Sequence, residues 1–214
     1  MSIEFESNVD NFSWVIEFLS QARMAKYLTD SDGGFELALD RYTQDLGTAN
    51  ALLLWIHLVE VGLRNALVNQ LAQSFAIESA DWPTAIEPLL VAKDKTSLDV
   101  AKKRITNNRK DITPDRMTEA LPMTFWVNLL AKHYETSIWT PSLRKAFVNL
   151  HKPNRAQVHD RAYEIYQLRN HLAHQGLVGS NDLARLTNLM SEFISWFSPE
   201  GHAWALKALK ALKP

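Results

Sequence analysis

Arg169-Asn-His-Leu-Ala-His174 places an arginine, an amide and two histidines within six residues of a 214-residue chain that has no cysteine. The missing cysteines remove thiol nucleophiles, disulfides and Cys-ligated zinc or iron–sulfur sites, and leave histidine as the leading reactive side chain. Histidine exchanges protons near neutral pH, and arginine offers a planar, permanently charged fork to oxyanions. His171 and His174 are also i,i+3 neighbours that could grip a metal with His159 or His57. No second carboxylate stands nearby to complete such a set, so no metal and no cofactor are assigned. A Gly-rich phosphate loop, a G-x-S-x-G elbow and an H-E-x-x-H pair are all missing from the sequence.

The placement of the charges is as informative as their type. At about 100° per residue, Val158, Ala162, Ile165, Leu172 and Ala173 form the apolar stripe of a helix over 155–175, and Arg169 falls within that stripe. A buried, unpaired arginine would cost several kcal/mol, so the pattern predicts an anionic partner for Arg169. A second helix repeats the conflict: Leu53, Ile56, Leu63, Leu67 and Leu71 share a face with Glu60 and Arg64, with His57 in the same sector. Glu60 and Arg64 are spaced for an i,i+4 pair. The two segments also match each other, Leu63-Arg-Asn-Ala-Leu-Val-Asn-Gln70 against Leu168-Arg-Asn-His-Leu-Ala-His-Gln175. A duplication or the shared demands of an Arg-Asn pair on a bundle helix would each produce that match.

Helices must carry these residues, because strand-like alternation is missing. The spacing predicts a first helix over 11–28, a turn at Asp30-Ser-Asp-Gly-Gly34, and a helix from Phe35 to Leu46. Gly47-Thr48 marks a possible break before a long, almost wholly apolar helix that runs to Phe75. Pro114, Pro122 and Pro141 each signal a helix start. Asn154 caps the helix that Gly176 stops, and Leu183, Leu186, Leu189, Met190, Phe193 and Phe197 define the next one. Pro199 ends it, and a helical tail rich in Ala, Leu and Lys follows. The expectation is an all-α fold in a single domain over 1–214, with its core at about 18–198, in which Trp126, Trp139 and Trp196 pack inside.

The near-neutral net charge of −1 conceals a segregation. Residues 1–60 hold ten acidic and three basic side chains, and the rest of the chain holds 20 basic and 14 acidic. The run from Lys93 to Asp111 includes Lys102, Lys103, Arg104, Arg109 and Lys110, which form either a solvated helix face or a rim that follows phosphates. The start, Met1-Ser-Ile-Glu-Phe-Glu6, lacks a signal-peptide pattern, and the apolar stretch Ala51–Leu63 is short for a membrane span. The expected setting is cytoplasmic, without a membrane.

Arg169 and His174, with four residues between them and a polar residue after the Arg, resemble the signature of HEPN-domain ribonucleases. Other segments resemble abortive-infection-like (Abi) proteins, and in the same order. They are Leu19-Ser-Gln-Ala-Arg23 with Tyr27-Leu28, Ala38-Leu-Asp-Arg-Tyr42, Val59-Glu-Val-Gly-Leu-Arg-Asn65, Phe125-Trp-Val-Asn-Leu-Leu130, and Ile138-Trp139 before Leu143 and Phe147. The likeness covers roughly 18–178 and departs at Gln175, where members often carry a second histidine. It implies a HEPN-like helical bundle that dimerises and cleaves RNA without metal in anti-phage defence. A toxin of this kind would be restrained by an antitoxin protein or a structured RNA.

Under that resemblance His174 is the acid/base, Arg169 faces the phosphate and Asn170 orients either group or the scissile phosphate. Glu60, Arg64, His57 and Asn65 become a supporting polar centre. Five residues along a straight helix separate Arg169 from His174 by about 140°, so convergence requires the helix to end near Ala173 or a second subunit to complete the site. The competing expectation is a bundle without catalysis, in which His174 only caps the helix and the protein binds RNA or regulates a partner.

Overall fold

The fold is built on α3, Phe35–Ser74, a helix of 40 residues and therefore about 60 Å long. Its buried positions include Ala38, Tyr42, Asp45, Ala49, Leu52, Ile56, Val59, Leu63, Leu67 and Leu71, an unbroken series of three- and four-residue steps. That register explains why Gly47 does not interrupt the helix, contrary to the break expected there. Both flanks are fixed by packing, and glycine in a helix interior costs only about 1 kcal/mol relative to alanine. The computed structural model describes residues 12–32, 34–75, 81–174 and 176–211, and among these all regular structure is helical. The N-terminal sequence Met1–Glu6, Gly33 of the expected turn and Gln175 lie outside the described residues.

Two cores line α3. The smaller gathers Phe12, Val15, Met24 and Tyr27 from α1 (Ser13–Leu19) and α2 (Gln21–Thr29) against Ala38 and Tyr42. The single helix expected over 11–28 is thus two. Ser20 takes a positive φ of 69° and its Oγ accepts the Arg23 N–H at 3.4 Å, so a local cap replaces helix continuation. The break turns Val15 and Met24 into one core. At the inner edge of this core, Tyr27 donates its hydroxyl to Asp45 at 2.8 Å.

The larger core begins at Ala49 and takes in the remaining elements. These are α4 (Trp82–Ile86), α5 (Ala92–Asn107), α6 (Pro114–Ala120), α7 (Met123–Asn128), α8 (Arg155–Ala173), α9 (Leu183–Phe197) and α10 (Pro199–Ala211). Thr113 caps α6 through the Arg116 N–H, as the following proline implies. Pro122 stands just before α7 as its N-cap. Pro141 opens no α-helix: it follows a single π turn, Glu135–Trp139, and precedes a 3-10 turn, Leu143–Ala146. This stretch wraps around the core, burying Trp139, Leu143 and Phe147, and Ser142 donates to the Gln70 carbonyl of α3 at 3.2 Å. Trp126, Trp139 and Trp196 are all buried in the larger core, as expected. By length and composition α3 could cross a membrane; here its buried edge carries both cores.

Candidate functional site at the end of helix α8

Helix α8 is defined at both ends. Asn154 accepts the Gln157 N–H at 3.1 Å, and the last helical residue is Ala173. His174 is the C-cap residue, with its N–H bonded to the carbonyls of Asn170 and Leu172. The helix therefore stops where convergence of Arg169 and His174 requires.

Val158, Ala162, Ile165 and Leu172 are buried as the periodicity predicts, but Arg169 is exposed, and so is Ala173. The reason is a change of line. After Ile165 the contact with the core passes through Leu168, which packs against the larger cluster, and then through Leu172. Arg169, one position beyond Leu168, is turned outward. It needs no buried partner within the protein, and its Nη1 lies 3.5 Å from the Asn170 Oδ1, the outer limit of a hydrogen bond.

Asn170 links the two ends of the motif. On one side it meets Arg169; on the other it lines an open, shallow depression of ≈ 450 Å³ with Gln167, His171, His174 and Gly176. His174 is exposed there. His171 plays a structural part instead. Its Nε2 lies 3.2 Å from the Leu177 carbonyl, and the ring lies so close over Gly176 that a Cβ there would come within 2.4 Å of it. His171 fastens the chain leaving α8. That contact accounts for glycine at 176 and uses the nitrogen that a metal pair with His174 would want free.

Tyr166 completes this face of the helix, one turn before Arg169 and Asn170. Its phenol is held below the usual tyrosine range. The leading cause is hydrogen bonding from Asn170, then from Thr124 at the start of α7; partial burial opposes both, and the charges of Arg169 and Lys93 act in the same direction as the hydrogen bonds. Lys93 belongs to the first turn of α5, which is set by its neighbour Asp94. Asp94 is 1% exposed and accepts from Asn128 at 3.1 Å and from the Tyr134 hydroxyl at 2.7 Å.

The supporting centre expected on α3 does not assemble. Glu60 and Arg64 are half-buried, but no ion pair within 4 Å joins them, and His57 and Asn65 are exposed. The Arg64 Nε is enclosed without a hydrogen-bond partner among the described residues. An i,i+4 spacing permits a pair but does not compel it. Of the basic run, Lys102 is taken up by Glu87 at 3.1 Å and Asp99 at 4.0 Å, whereas Lys103, Arg104, Arg109 and Lys110 are exposed.

Tyr166, Thr124 and Lys93 stand outside the sequence motif. The signal available was the position of Tyr166, three and four residues before Arg169 and Asn170 on the same helix face. Lys93 and Thr124 come from distant segments that only the tertiary packing of α5, α7 and α8 brings near. No family model, curated protein or solved structure matches the chain.

Proposed function

We propose that this protein is a metal-independent endoribonuclease with a HEPN-like helical bundle, acting as a dimer in the cytoplasm in anti-phage defence or a toxin–antitoxin-like system. The observation that carries the reading is the end of α8. The helix stops at Ala173, and Asn170 contacts Arg169 on one side while sharing the surface depression with His174 on the other.

RNA strand cleavage by the neighbouring 2′-hydroxyl needs three things that this surface can offer. A base takes the 2′-proton as oxygen attacks phosphorus, an acid protonates the departing 5′-oxygen, and positive charge stabilises the five-coordinate phosphate between those steps. The products are a 2′,3′-cyclic phosphate and a 5′-hydroxyl. His174 takes or gives one proton, with solvent water available for the complementary transfer. Arg169 holds the phosphate oxygens, and Asn170 keeps Arg169 in register with them. An antitoxin protein or a structured RNA covering this open surface would restrain the activity.

The test is cleavage of RNA in EDTA by the wild type, Arg169→Ala and His174→Ala. Loss of a general acid/base is expected to slow cleavage by about 10²–10⁴-fold. Undiminished cleavage by His174→Ala would overturn the mechanism, and abolition by EDTA would move the chemistry to a metal. A second reading, an RNA-binding bundle without catalysis, draws on the position of His174 as the C-cap of α8, with Asn170 as the residue that Arg169 meets. It predicts RNA binding with no cleavage by the wild type.

A further inference from the structure

Where α3, α9 and α10 meet, small side chains leave a groove of ≈ 780 Å³. Gly47 and Ala51 stand one turn apart on α3, and Ala184 lines the groove from α9. Farther along, Gly62 of α3 lies so close to Phe197 of α9 that an added Cβ would come within 3.0 Å of the ring. The two helices therefore touch near Gly62, whereas an added Cβ at Gly47 would meet nothing within 4 Å. Leu54, Leu183, Leu206 and Leu209 supply apolar wall. From Gly47 to Trp55 the groove follows α3 for about 12 Å, at 1.5 Å per residue. Its volume lies within the range of small-molecule sites.

Among the described residues no Asp, Glu, Lys, Arg or His lines this groove; its polar lining is Asn50, Ser180, Thr187, Asn188 and Ser191. Thr187 donates its hydroxyl to the Leu183 carbonyl at 2.8 Å, and the Ser191 Oγ lies 2.8 Å from the His202 Nε2. Trp55 is different. It is 8% exposed, yet its indole N–H has no hydrogen-bond partner among the described residues. Unlike the Trp126 nitrogen, it is not sealed from the outside. A buried tryptophan N–H ordinarily finds an acceptor, and it can only donate. The groove that Trp55 lines has room for that acceptor. A charged head group would lose its hydration there without gaining a counter-charge.

We propose that the groove between α3, α9 and α10 binds an uncharged amphipathic small molecule with an apolar body and a carbonyl or ether oxygen. Trp55 donates its indole N–H to that oxygen, and the leucines enclose the body. Asn50 and Asn188, both exposed at the rim, offer further neutral hydrogen bonds. No residue of the α8 surface lines the groove, so its occupancy is separable from RNA cleavage.

The probe is Nile red, an uncharged dye with a ring carbonyl and an apolar body, which brightens on leaving water. Titration into the full chain is expected to saturate at a single site. Gly47→Leu fills the groove where no atom stands in the way, and should weaken binding by about tenfold or more. Trp55→Phe keeps a ring but removes the donor, and should weaken it about three- to tenfold. Leu53→Ser, at an exposed position of α3 outside the groove, should bind as the wild type does. Octanamide should displace the dye, whereas octanoate and octylammonium, with the same chain and a charged head, should need about tenfold more. If Trp55→Phe lowers the thermal midpoint, Gly47→Leu decides the site, because leucine is the better helix former. Unsaturable uptake by the wild type, wild-type binding by Gly47→Leu, or an equal loss in Leu53→Ser would overturn the site. Equal displacement by octanamide and octanoate would overturn the uncharged ligand class.

Discussion

Gly176 and His171 show how a residue beside a candidate catalytic group can be structural. The imidazole lies over the glycine and reaches the Leu177 carbonyl, leaving no room for a Cβ. Gly176→Ala must swing the ring aside and give up that contact, at a cost of about 1 kcal/mol, or a fall of roughly 2–4 °C in thermal midpoint for a chain of this size. The effect should vanish when His171 is already alanine, because no ring is left to clash. A midpoint loss equal in both backgrounds, measured as a double-mutant cycle, would show that the ring is not the cause. The tyrosines supply a pH test. Burial, reinforced by Asp45 and Asp94, pushes the Tyr27 and Tyr134 phenols up in the folded state. A folded pKa above the unfolded one means stability that is fully present below about pH 10 and is lost as pH rises further. Tyr27→Phe should therefore be less stable than wild type near neutrality, with the gap narrowing under alkaline conditions. A gap that stays constant between about pH 7 and 11 would refute the assignment. Tyr166, whose phenol is held low, runs in the opposite sense.

At the scale of elements, the strongest departure from local sequence signals is α3. Gly47-Thr48 reads as a break because glycine is a poor helix former, yet Tyr42 and Asp45 before it and Ala49 and Leu52 after it fit a single register. A Cβ at Gly47 would meet nothing within 4 Å. Gly47→Ala is therefore expected to stabilise the protein by about 0.5–1 kcal/mol, visible as a rise in thermal midpoint. A fall would mean that the glycine serves a bend or a close approach. The ends of α8 are legible in the sequence because Asn154 and the chain around Gly176 carry their own hydrogen-bonding logic. The exposure of Arg169 is not, because a helix can continue its core contact along either of two adjacent lines. Here the packing partners select Leu168, and nothing in a single sequence specifies that choice. The same limit applies to Tyr166: its spacing from Arg169 is plain in the sequence, while the influence of Thr124 and of the Lys93 charge on its phenol depends on how α5 and α7 pack.

For the whole molecule, the question is whether one protomer holds a complete site. On a helix continued through His174, Arg169 and His174 would leave the α8 axis about 140° apart. Asn170 lies between them, and both side chains are exposed. A symmetric dimer pairing these surfaces would let Arg169 of one copy meet His174 of the other. An arrangement confined to one protomer would require a phosphate straddling Asn170. Mixing two inactive proteins separates the possibilities. When Arg169→Ala and His174→Ala subunits are unfolded and refolded together, half of the dimers contain one of each. If the site forms between copies, each mixed dimer has one intact Arg/His pair and one empty site, and cleavage returns to about a quarter of the wild-type level. If both groups act within one protomer, no mixed dimer holds a complete pair and the mixture stays inactive. Recovery that depends on subunit ratio, peaking at equal amounts, would also establish the dimer as the working form. An inactive mixture of stable dimers would place the chemistry within each copy and leave Asn170 as the bridge across which it operates.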